Sequence, residues 1–416
     1  MANTFKNTAQ VAVNKVLMEF KNASGLSRFV DRSFEKKFGK AGAKIGSSLE
    51  VLDEVMAPSS GTGSAITPGS VTERTRTLTL NQRLNQAWAY TVDEDALNVD
   101  QWMERHGKPR AQRLANDWDL FLMQLAYQST GLYIGVPNTA ISTFKMFGQA
   151  RAQIDRFAPP PGDKVLIMDP DTQVEAIDLS KGLFHPTDIE GQYREGNMSK
   201  VAGFKPHMSQ NVRRHTVGPL GGTPLVKGAT QSGASIATDG WTASAANRLK
   251  KGDSVRFLSS SGSTTGAVYG VNPITKEILP EPRAFVLTAD ADSDSSGNLT
   301  LTIDPPITVT GVYQTTDIIP ADNAVIQIFQ HASSYASKVS AENLALHPMA
   351  ITAAVFPLPV PDDAMAGATA YDEDMGIGVS LWRASDIRTG EIITRLDLLA
   401  GAVVRHPEWI CRILGA

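Results

Sequence analysis

The 416-residue sequence contains one cysteine, Cys411, so an internal disulfide framework is excluded. It also lacks a long hydrophobic run, because no stretch reaches the roughly 18 apolar residues that a membrane-spanning helix needs. No positively charged segment followed by an apolar core marks a secretory signal peptide. These absences predict a protein made in the cytoplasm and without a membrane partner.

The sequence also lacks an excess of charge of either sign. Lys and Arg total 39 and Asp and Glu total 43, which gives a formal net charge of -4. A dedicated nucleic-acid binder usually carries a strongly basic balance. We therefore expect any contact with double-stranded DNA to be weak and non-specific.

Catalytic and metal-binding motifs are missing as well. The seven histidines are scattered, and the sequence contains no HExxH, CxxC or GxSxG pattern. "DADSDSSG", from Asp290, begins like a calcium loop, but Ser295 and Leu301 stand where the loop needs Gly and Glu. An exposed turn is the simpler interpretation, with a weak cation site as the alternative. The sequence therefore predicts no enzyme, no cofactor and no metal site.

A glycine-rich stretch, "PSSGTGSAITPG" from Pro58 to Gly69, poses the question of a phosphate-binding loop. Such a loop needs a following helix and usually a Lys. Here the chain continues instead as "VTERTRTLTL", an alternating pattern typical of a strand. Upstream, Ser47 to Val55 alternates in the same way. We therefore interpret Lys44 to Val92 as one two-stranded excursion, or arm, with a mobile loop at its tip.

Helical periodicity is clear in the first half of the chain. The long stretch from Pro109 to Gly131 has proline suited to a first turn and glycine suited to a C-terminal cap. "DKVLIMDP" predicts a buried strand. Shorter helices are predicted over Thr8 to Asn22, over Thr143 to Phe157 with Ser142 as the cap, and after Asp169 with Thr172 and Glu175 as a capping box.

The composition changes near Val217, where helix signals nearly vanish until about Gln330. Short alternating runs between turn clusters predict a small β-barrel or sandwich. The runs are Ser254 to Leu258, Thr265 to Val271, Ala284 to Leu287, Leu299 to Ile303 and Ala324 to Phe329. Longer elements then return, at Ile351 to Pro357, Ile377 to Ser385 and Ile392 to Val404. The β-rich region is therefore predicted to be inserted into a mixed α/β unit.

A basic run, "SRFVDRSFEKKFGKAGAK", follows Gly25 and includes Arg28, Arg32, Lys36 and Lys37. Such a run is typical of a solvated helix face. It is equally compatible with a docking surface for an acidic partner. The residues alone leave both interpretations open.

In the order of its segments, the chain resembles the major capsid (coat) proteins of tailed phages, specifically the Salmonella short-tailed phage type with an inserted β-barrel. Five segments carry the resemblance, and together with the long helix and the arm they cover nearly the whole chain. They are "DPDTQVEAIDLSKGLFHPTDIEGQYREGNMSKVAGFKPHMSQNV", "LKKGDSVRF" with "GVNPITKEIL", "ENLALHPMAITAAVFPLPVP" and "TRLDLLAGAVVRHPEWICRI".

The resemblance implies an α+β fold with a spine helix, an extended β-hairpin arm, axial and peripheral domains and an inserted barrel. It implies these ranges: 1–43, N-terminal arm; 44–92, extended hairpin loop; 93–138, peripheral domain with the spine helix; 139–216, first part of the axial domain; 217–340, inserted barrel; 341–390, axial return; 391–416, peripheral C-terminal strands.

It further implies a structural protein that assembles with a scaffolding protein into hexamers and pentamers of an icosahedral shell around phage double-stranded DNA, with a portal at one vertex. Expected inter-subunit residues of the arm are Glu73, Arg74, Arg76 and Arg83, with Gly61 and Gly63 at its tip. Arg28, Arg32, Lys36 and Lys37 are the candidate scaffold contacts. In the family, an acidic loop early in the insert contacts a neighbouring capsomer. Here that stretch, Thr238 to Ala246, holds only Asp239, and the acidic residues Asp290, Asp292 and Asp294 come later.

Other functions fit the sequence less well. An encapsulin-like compartment shares the capsid fold but usually lacks an inserted barrel. A virion decoration or receptor-binding protein would explain the β-rich region but neither the long helix nor the arm. A hydrolase would need a constellation of residues that the motifs do not show.

Overall fold

The computed structural model describes residues 8–23, 25–33, 48–53, 56, 73–91, 106–180, 200–329, 335–362, 364–372, 377–386 and 388–416. The helices are α1 (Thr8–Ala23), α2 (Lys108–Ser129), α3 (Lys145–Asp155) and α4 (Pro170–Ser180). In the described part of the chain, none of them combines the length and apolar character needed to cross a membrane.

The strands outnumber the helices. In chain order they are β1 (Ser48–Leu52), β2 (Thr75–Thr79), β3 (Gln82–Thr91), β4 (Tyr133–Ile134), β5 (Lys164–Met168), β6 (Phe204–Met208), β7 (Arg214–Thr216), β8 (Gly222–Val226), β9 (Gly233–Trp241), β10 (Ala245–Leu249), β11 (Ser254–Phe257), β12 (Tyr269–Val271), β13 (Ile278–Pro282), β14 (Phe285–Leu287), β15 (Ala291–Ser293), β16 (Leu299–Ile307), β17 (Ile326–Ile328), β18 (Val339–Leu346), β19 (Ile351–Phe356), β20 (Ala366–Asp372), β21 (Ile377–Asp386), β22 (Glu391–Val404) and β23 (Ile410–Leu414).

The chain divides into two compact units, the first formed by Met1–Leu52, Thr75–Leu122 and Ile351–Arg405. Its main sheet is antiparallel, in the order β19-β22-β21-β20, and β3 pairs with β22 beside β19. The long strand β22 is the centre of this sheet because it hydrogen-bonds to three partners. Helix α1 packs on β20 and β21, and its buried face includes Val13, Val16 and Phe20.

The second unit is formed by Asp53–Arg74, Met123–Ala350 and His406–Ala416. One of its sheets has the order β4-β23-β18-β5-β6, and β7 pairs with the first residues of β18. Every residue of β5 and of β23 is buried, which is the pattern expected of strands covered on both faces. Helix α3 packs on β23.

The other large sheet of this unit closes on itself. Its order is β17-β11-β14-β16-β9-β8, and a bridge from Leu225 to Val325 joins β8 to β17. Closure satisfies the open edges of a sheet. The apolar interior is built from inward-facing side chains such as Ile236, Phe257, Phe285, Leu301 and Ile326, all fully buried.

Most elements predicted from periodicity are confirmed, including the mixed α+β class. Helix α2 spans nearly the predicted residues, and β5, β19, β21 and β22 lie where the apolar runs indicated. Gly131, however, is not a left-handed cap, because its φ is not positive although it stands two residues after the end of α2 at Ser129. A Cβ at Gly131 would lie 2.7 Å from the Ala284 carbonyl oxygen, so glycine is required there for close packing against the backbone of the barrel region.

Two sequence-based predictions of helix capping are wrong. Helix α3 begins after Phe144 and has no side-chain cap, so Ser142 does not cap it. The capping box at Thr172 and Glu175 does not form, because α4 begins earlier, at Pro170. Glu175 instead accepts a hydrogen bond from the Ile141 N–H at 3.0 Å, and Thr172 accepts one from the Asn343 amide at 3.2 Å.

The predicted domain ranges are a finer division than the two units. The predicted boundary at residues 390 and 391 separates β21 from its hydrogen-bonded partner β22. The assignment of these ranges to peripheral, axial and inserted domains stays a prediction.

Candidate assembly surfaces

The root of the predicted arm is a two-stranded antiparallel pair. β1 and β2 pair from Ser48 opposite Thr79 to Leu52 opposite Thr75. Val51 and Leu78 point to one side and are fully buried with Ala354, while Glu50 is exposed. The alternation read from the sequence is therefore confirmed for β1 and β2. We call this pair, β1 and β2, the arm root.

The predicted two-stranded excursion is shorter than Lys44 to Val92. Residues 82–91 form β3, which pairs with β22 along its whole length and is not part of the arm root. Arg83 therefore lies in a sheet, where its guanidinium is 3.7 Å from the buried Asp397 carboxylate. The tip glycines, Gly61 and Gly63, lie outside the described residues.

Close backbone contact fixes the arm root on the sheet of the first unit. A Cβ at Gly401 in β22 would lie 2.1 Å from the Thr79 carbonyl oxygen, so only glycine permits this approach. Two guanidinium groups add hydrogen bonds to backbone carbonyls. Arg76 donates to Val404 at 3.0 Å, and Arg405 donates to Leu52 at 3.1 Å. The arm root is thus anchored on both of its strands.

The remaining predicted arm residues lie just before β2. Glu73 and Arg74 are exposed, and the Arg74 guanidinium lies 4.0 Å from the centre of the Tyr313 ring. This distance is within the range of a cation–π contact. The structure therefore places Arg74 and Arg76 on contacts inside the chain, and the inter-subunit role of the four residues stays a prediction.

The structure describes two of the four N-terminal residues that were predicted to contact a scaffolding protein. Arg28 is exposed on a short 3-10 turn, whereas Arg32 is half-buried and donates to the Ser27 carbonyl. The buried Asp119 of α2 accepts hydrogen bonds from the N–H groups of Gly25 and Ser27. Burial raises the pKa of this carboxyl above its ordinary value, against the opposing effect of those hydrogen bonds. Lys36 and Lys37 lie outside the described residues.

Two of the acidic candidates, Asp290 and Asp292, lie beside the strand that follows the indicated loop and the turn after that strand. β10, which begins inside Thr238 to Ala246, pairs with β15, which carries Asp292. Asp290 and Asp292 are exposed, and each accepts a backbone N–H, from Lys251 at 2.7 Å and from Asn247 at 2.6 Å. We call β15 with its flanking acids, Asp290 to Asp294, the acidic strand.

Asp294 and Asp239 have different surroundings. Asp294 accepts N–H groups of Ser296 and Asn298 at 2.8 Å, and the Asn298 hydrogen bonds hold its pKa below the ordinary value. Its first role is therefore to shape a turn. Asp239 is half-buried in β9, opposite Leu225 of β8.

A buried set of charges was missed by the sequence reasoning. Arg412 of β23 is fully buried, donates to the Gly252 carbonyl at 2.7 Å, and lies 3.7 Å from Glu342 of β18. Beside it, His215 contacts Asp253 at 2.8 Å, and Asp253 also accepts the N–H of Lys250. The one sequence signal was an arginine inside the apolar run "ICRIL". These contacts connect the turn between β10 and β11 to the neighbouring sheet that contains β18 and β23.

The family comparison decides the identity. The family model described as "P22 coat protein - gene protein 5" matches residues 1–414. The chain belongs to this coat protein family. It is a phage major capsid protein, a structural protein of the virion shell and not an enzyme. The resemblance predicted from the sequence is thereby confirmed at the level of the family. No curated protein matches the chain.

Solved structures from phages and of a virus-like particle are similar over most of the chain at low identity. The structure titled "Mycobacterium phage Che8" is 11% identical, with a TM-score of 0.49, and the match covers 94% of this coat protein and 90% of that chain. The capsid of Ralstonia phage GP4 is 8% identical, with a TM-score of 0.47 and coverage of 94% and 88%. A virus-like particle from Pyrococcus furiosus is 7% identical, with a TM-score of 0.42 and coverage of 97% and 98%.

Proposed function

We propose that this coat protein assembles, with a scaffolding protein, into hexamers and pentamers of an icosahedral shell that encloses double-stranded phage DNA. A portal complex replaces one vertex, and the chain is made in the host cytoplasm before it enters the virion. The observation that carries the proposal is the anchored arm root in a chain of the coat protein family. An encapsulin-like compartment is the alternative, and membership of a phage coat protein family favours the DNA-containing shell.

The arm root supports this function because it fixes where the arm leaves the subunit. Leu52 and Thr75 are paired, so the segment between them starts and ends at one place on the molecule. A two-stranded hairpin is marginally stable alone and needs a further surface to bury its residues. In a shell, the adjacent subunit provides that surface, and repeated head-to-tail contacts close into rings.

A deletion tests the role of the arm. Removing Ser60 to Ser64 shortens the tip without touching β1 or β2, so the subunit should still fold while assembly or shell maturation fails. Circular dichroism checks the fold, and electron microscopy scores the shells. Normal shells that mature normally after the deletion would show that the arm tip has no such role.

The scaffold contact can be tested through charge. Replacing Arg28, Arg32, Lys36 and Lys37 by Gln should weaken binding of an acidic scaffolding protein, and binding by the natural chain should fall steeply with salt. Because Arg32 also donates to Ser27 within the chain, the variant Arg28→Gln/Lys36→Gln/Lys37→Gln is the cleaner probe. Binding that changes neither with salt nor with these substitutions would show that the basic run is only a solvated surface.

The acidic strand is the second proposed contact surface, between capsomers. Asp290 and Asp292 are exposed beside β10 and the turn that follows it, which supports a charge-based contact with a basic surface of a neighbouring copy. Asp290→Asn/Asp292→Asn keeps side chains that can accept the same backbone N–H groups. If the contact exists, shells of this variant should form less efficiently or break at lower denaturant than unmodified shells.

A further inference from the structure

A polar cleft of about 520 Å³ opens beside the C-terminal half of α2. One wall is formed by α2, a second by β7, and the floor by the tight turn that joins β10 to β11. Its volume lies within the roughly 300–1,000 Å³ that is typical of sites for small ligands or short peptide segments. None of the assembly surfaces described above accounts for this cleft, although Asp290 lies at its edge.

The cleft is positively charged although the whole chain is negative. Arg214, Lys250 and Lys251 line it, and none of these three side chains makes an ion pair with a residue that the structure describes. Asp290 is the one carboxylate among the lining residues, and one of its oxygens accepts the Lys251 backbone N–H. Neighbouring like charges repel each other. An anionic partner would relieve that repulsion.

The two lysines are held in place by a buried framework. The Lys250 N–H donates to Asp253 at 2.8 Å, and the Gly252 carbonyl accepts the buried Arg412 guanidinium at 2.7 Å. Gly252 has a φ of +98°, and a Cβ there would meet the Tyr127 ring at 3.2 Å. The turn backbone that carries Lys250 and Lys251 is therefore fixed before any partner arrives, which reduces the entropic cost of binding.

The other lining groups fit a peptide. Gln124 and Gln128 stand one turn apart on the same face of α2, and their amides can both donate to and accept from peptide groups. Duplex DNA fits less well, because it needs a broad basic surface, and its phosphates would face the Asp290 carboxylate. We infer that this cleft binds a short acidic peptide segment of a partner protein, whose carboxylates pair with Arg214, Lys250 and Lys251.

A binding measurement on the unassembled full-length chain tests the inference. The probe is a fluorescent hexaglutamate peptide, followed by anisotropy at low salt, with a duplex DNA oligonucleotide as the second probe. Lys250→Gln/Lys251→Gln should weaken peptide binding by about tenfold, the combined effect of two exposed ion pairs. Lys145→Gln/Arg388→Gln removes two exposed charges away from the cleft and should bind as the natural chain does. Arg214→Gln provides a second test should the lysine variant lose its fold, which thermal unfolding reveals.

Three results would overturn the inference: no peptide binding by the natural chain, equal binding by all variants, or tighter binding of DNA lost through the same substitutions. The last would identify a phosphate-backbone site in place of a peptide site. Shell formation is scored separately by electron microscopy, because the inference does not depend on the shell proposal. A cleft variant that still forms shells but no longer binds the peptide supports both the cleft inference and the shell proposal.

Discussion

At the residue scale, the least expected feature is a fully buried arginine. Arg412 and Glu342 are both inaccessible to water and lie 3.7 Å apart on neighbouring strands. Burying two charges is costly, and breaking such a pair leaves one of them uncompensated. Their contacts with Gly252 and with Ser340, which donates to Glu342 at 2.8 Å, give this ion pair its fixed geometry.

Arg412→Met should therefore lower the free energy of unfolding by about 3–5 kcal/mol, because Glu342 remains buried without its partner. The double variant Arg412→Met/Glu342→Gln should recover a large part of this loss. Denaturant unfolding of the unassembled chain measures both. Arg388→Met, at an exposed arginine, is the control and should change the free energy by no more than about 0.5 kcal/mol. Equal losses for Arg412→Met and the double variant would show that the ion pair is unimportant.

The turn carboxylate of Asp294 gives a pH-dependent prediction. Hydrogen bonds from Asn298 and Ser296 hold its pKa below the ordinary value of 3.8. Since the folded pKa is lower than the unfolded one, the carboxylate stabilises the fold above the unfolded pKa. That contribution disappears as the pH falls through the folded pKa. Asp294→Ala should lower the melting temperature more at neutral pH than at an acidic pH below the folded pKa. A difference of the same size at both pH values would contradict this assignment.

At the element scale, the arm root depends on one glycine. Gly401 lets the backbone of β2 approach β22, and any side chain there would collide with the Thr79 carbonyl. The apolar contacts of Val51, Leu78 and Ala354 follow from that approach. The position of the arm root is thus set by backbone packing as well as by the apolar pattern of its strands.

Gly401→Ala should destabilise the first unit by about 1–3 kcal/mol, as overpacking does elsewhere. Gly148→Ala is a matched control, because Gly148 lies in helix α3 with no atom within 4 Å of an added Cβ. Alanine in a helix is favoured over glycine, so this control should stabilise by up to about 1 kcal/mol. Urea unfolding of both variants tests the pair, and two changes of the same sign would count against the packing argument.

Elements with a strong local signal were predicted well. Continuous periodicity or a long apolar run marks helix α2 and strands β5, β19 and β22. Their observed bounds lie close to the predicted ones. β8, β9 and β10 were not predicted, because they are rich in Gly, Ser, Thr and Ala, and their pairing contains register shifts. β3 was assigned to the arm because alternation does not reveal which partner a strand will choose.

The candidate surfaces were less predictable than the fold. Asp290 and Asp292 were singled out by sequence, yet their position beside β10 comes from pairing between distant segments. The cations of the cleft, Arg214 and Lys250, lie in different segments and had no shared local pattern. Long-range contacts of this kind carry no signal in a short sequence window, so a single sequence could not identify them.

At the scale of the whole molecule, we propose that the arm of this coat protein contacts other copies of the chain. Family membership and the anchored arm root support this proposal. Contacts that are individually modest are sufficient in a closed shell, because many act together.

The most direct test is electron microscopy with sedimentation of the recombinant chain, expressed alone and with its scaffolding protein. We predict closed shells or rings of hexamers and pentamers in at least one of the two samples. A folded chain that remains a monomer or dimer under both conditions would contradict the claim.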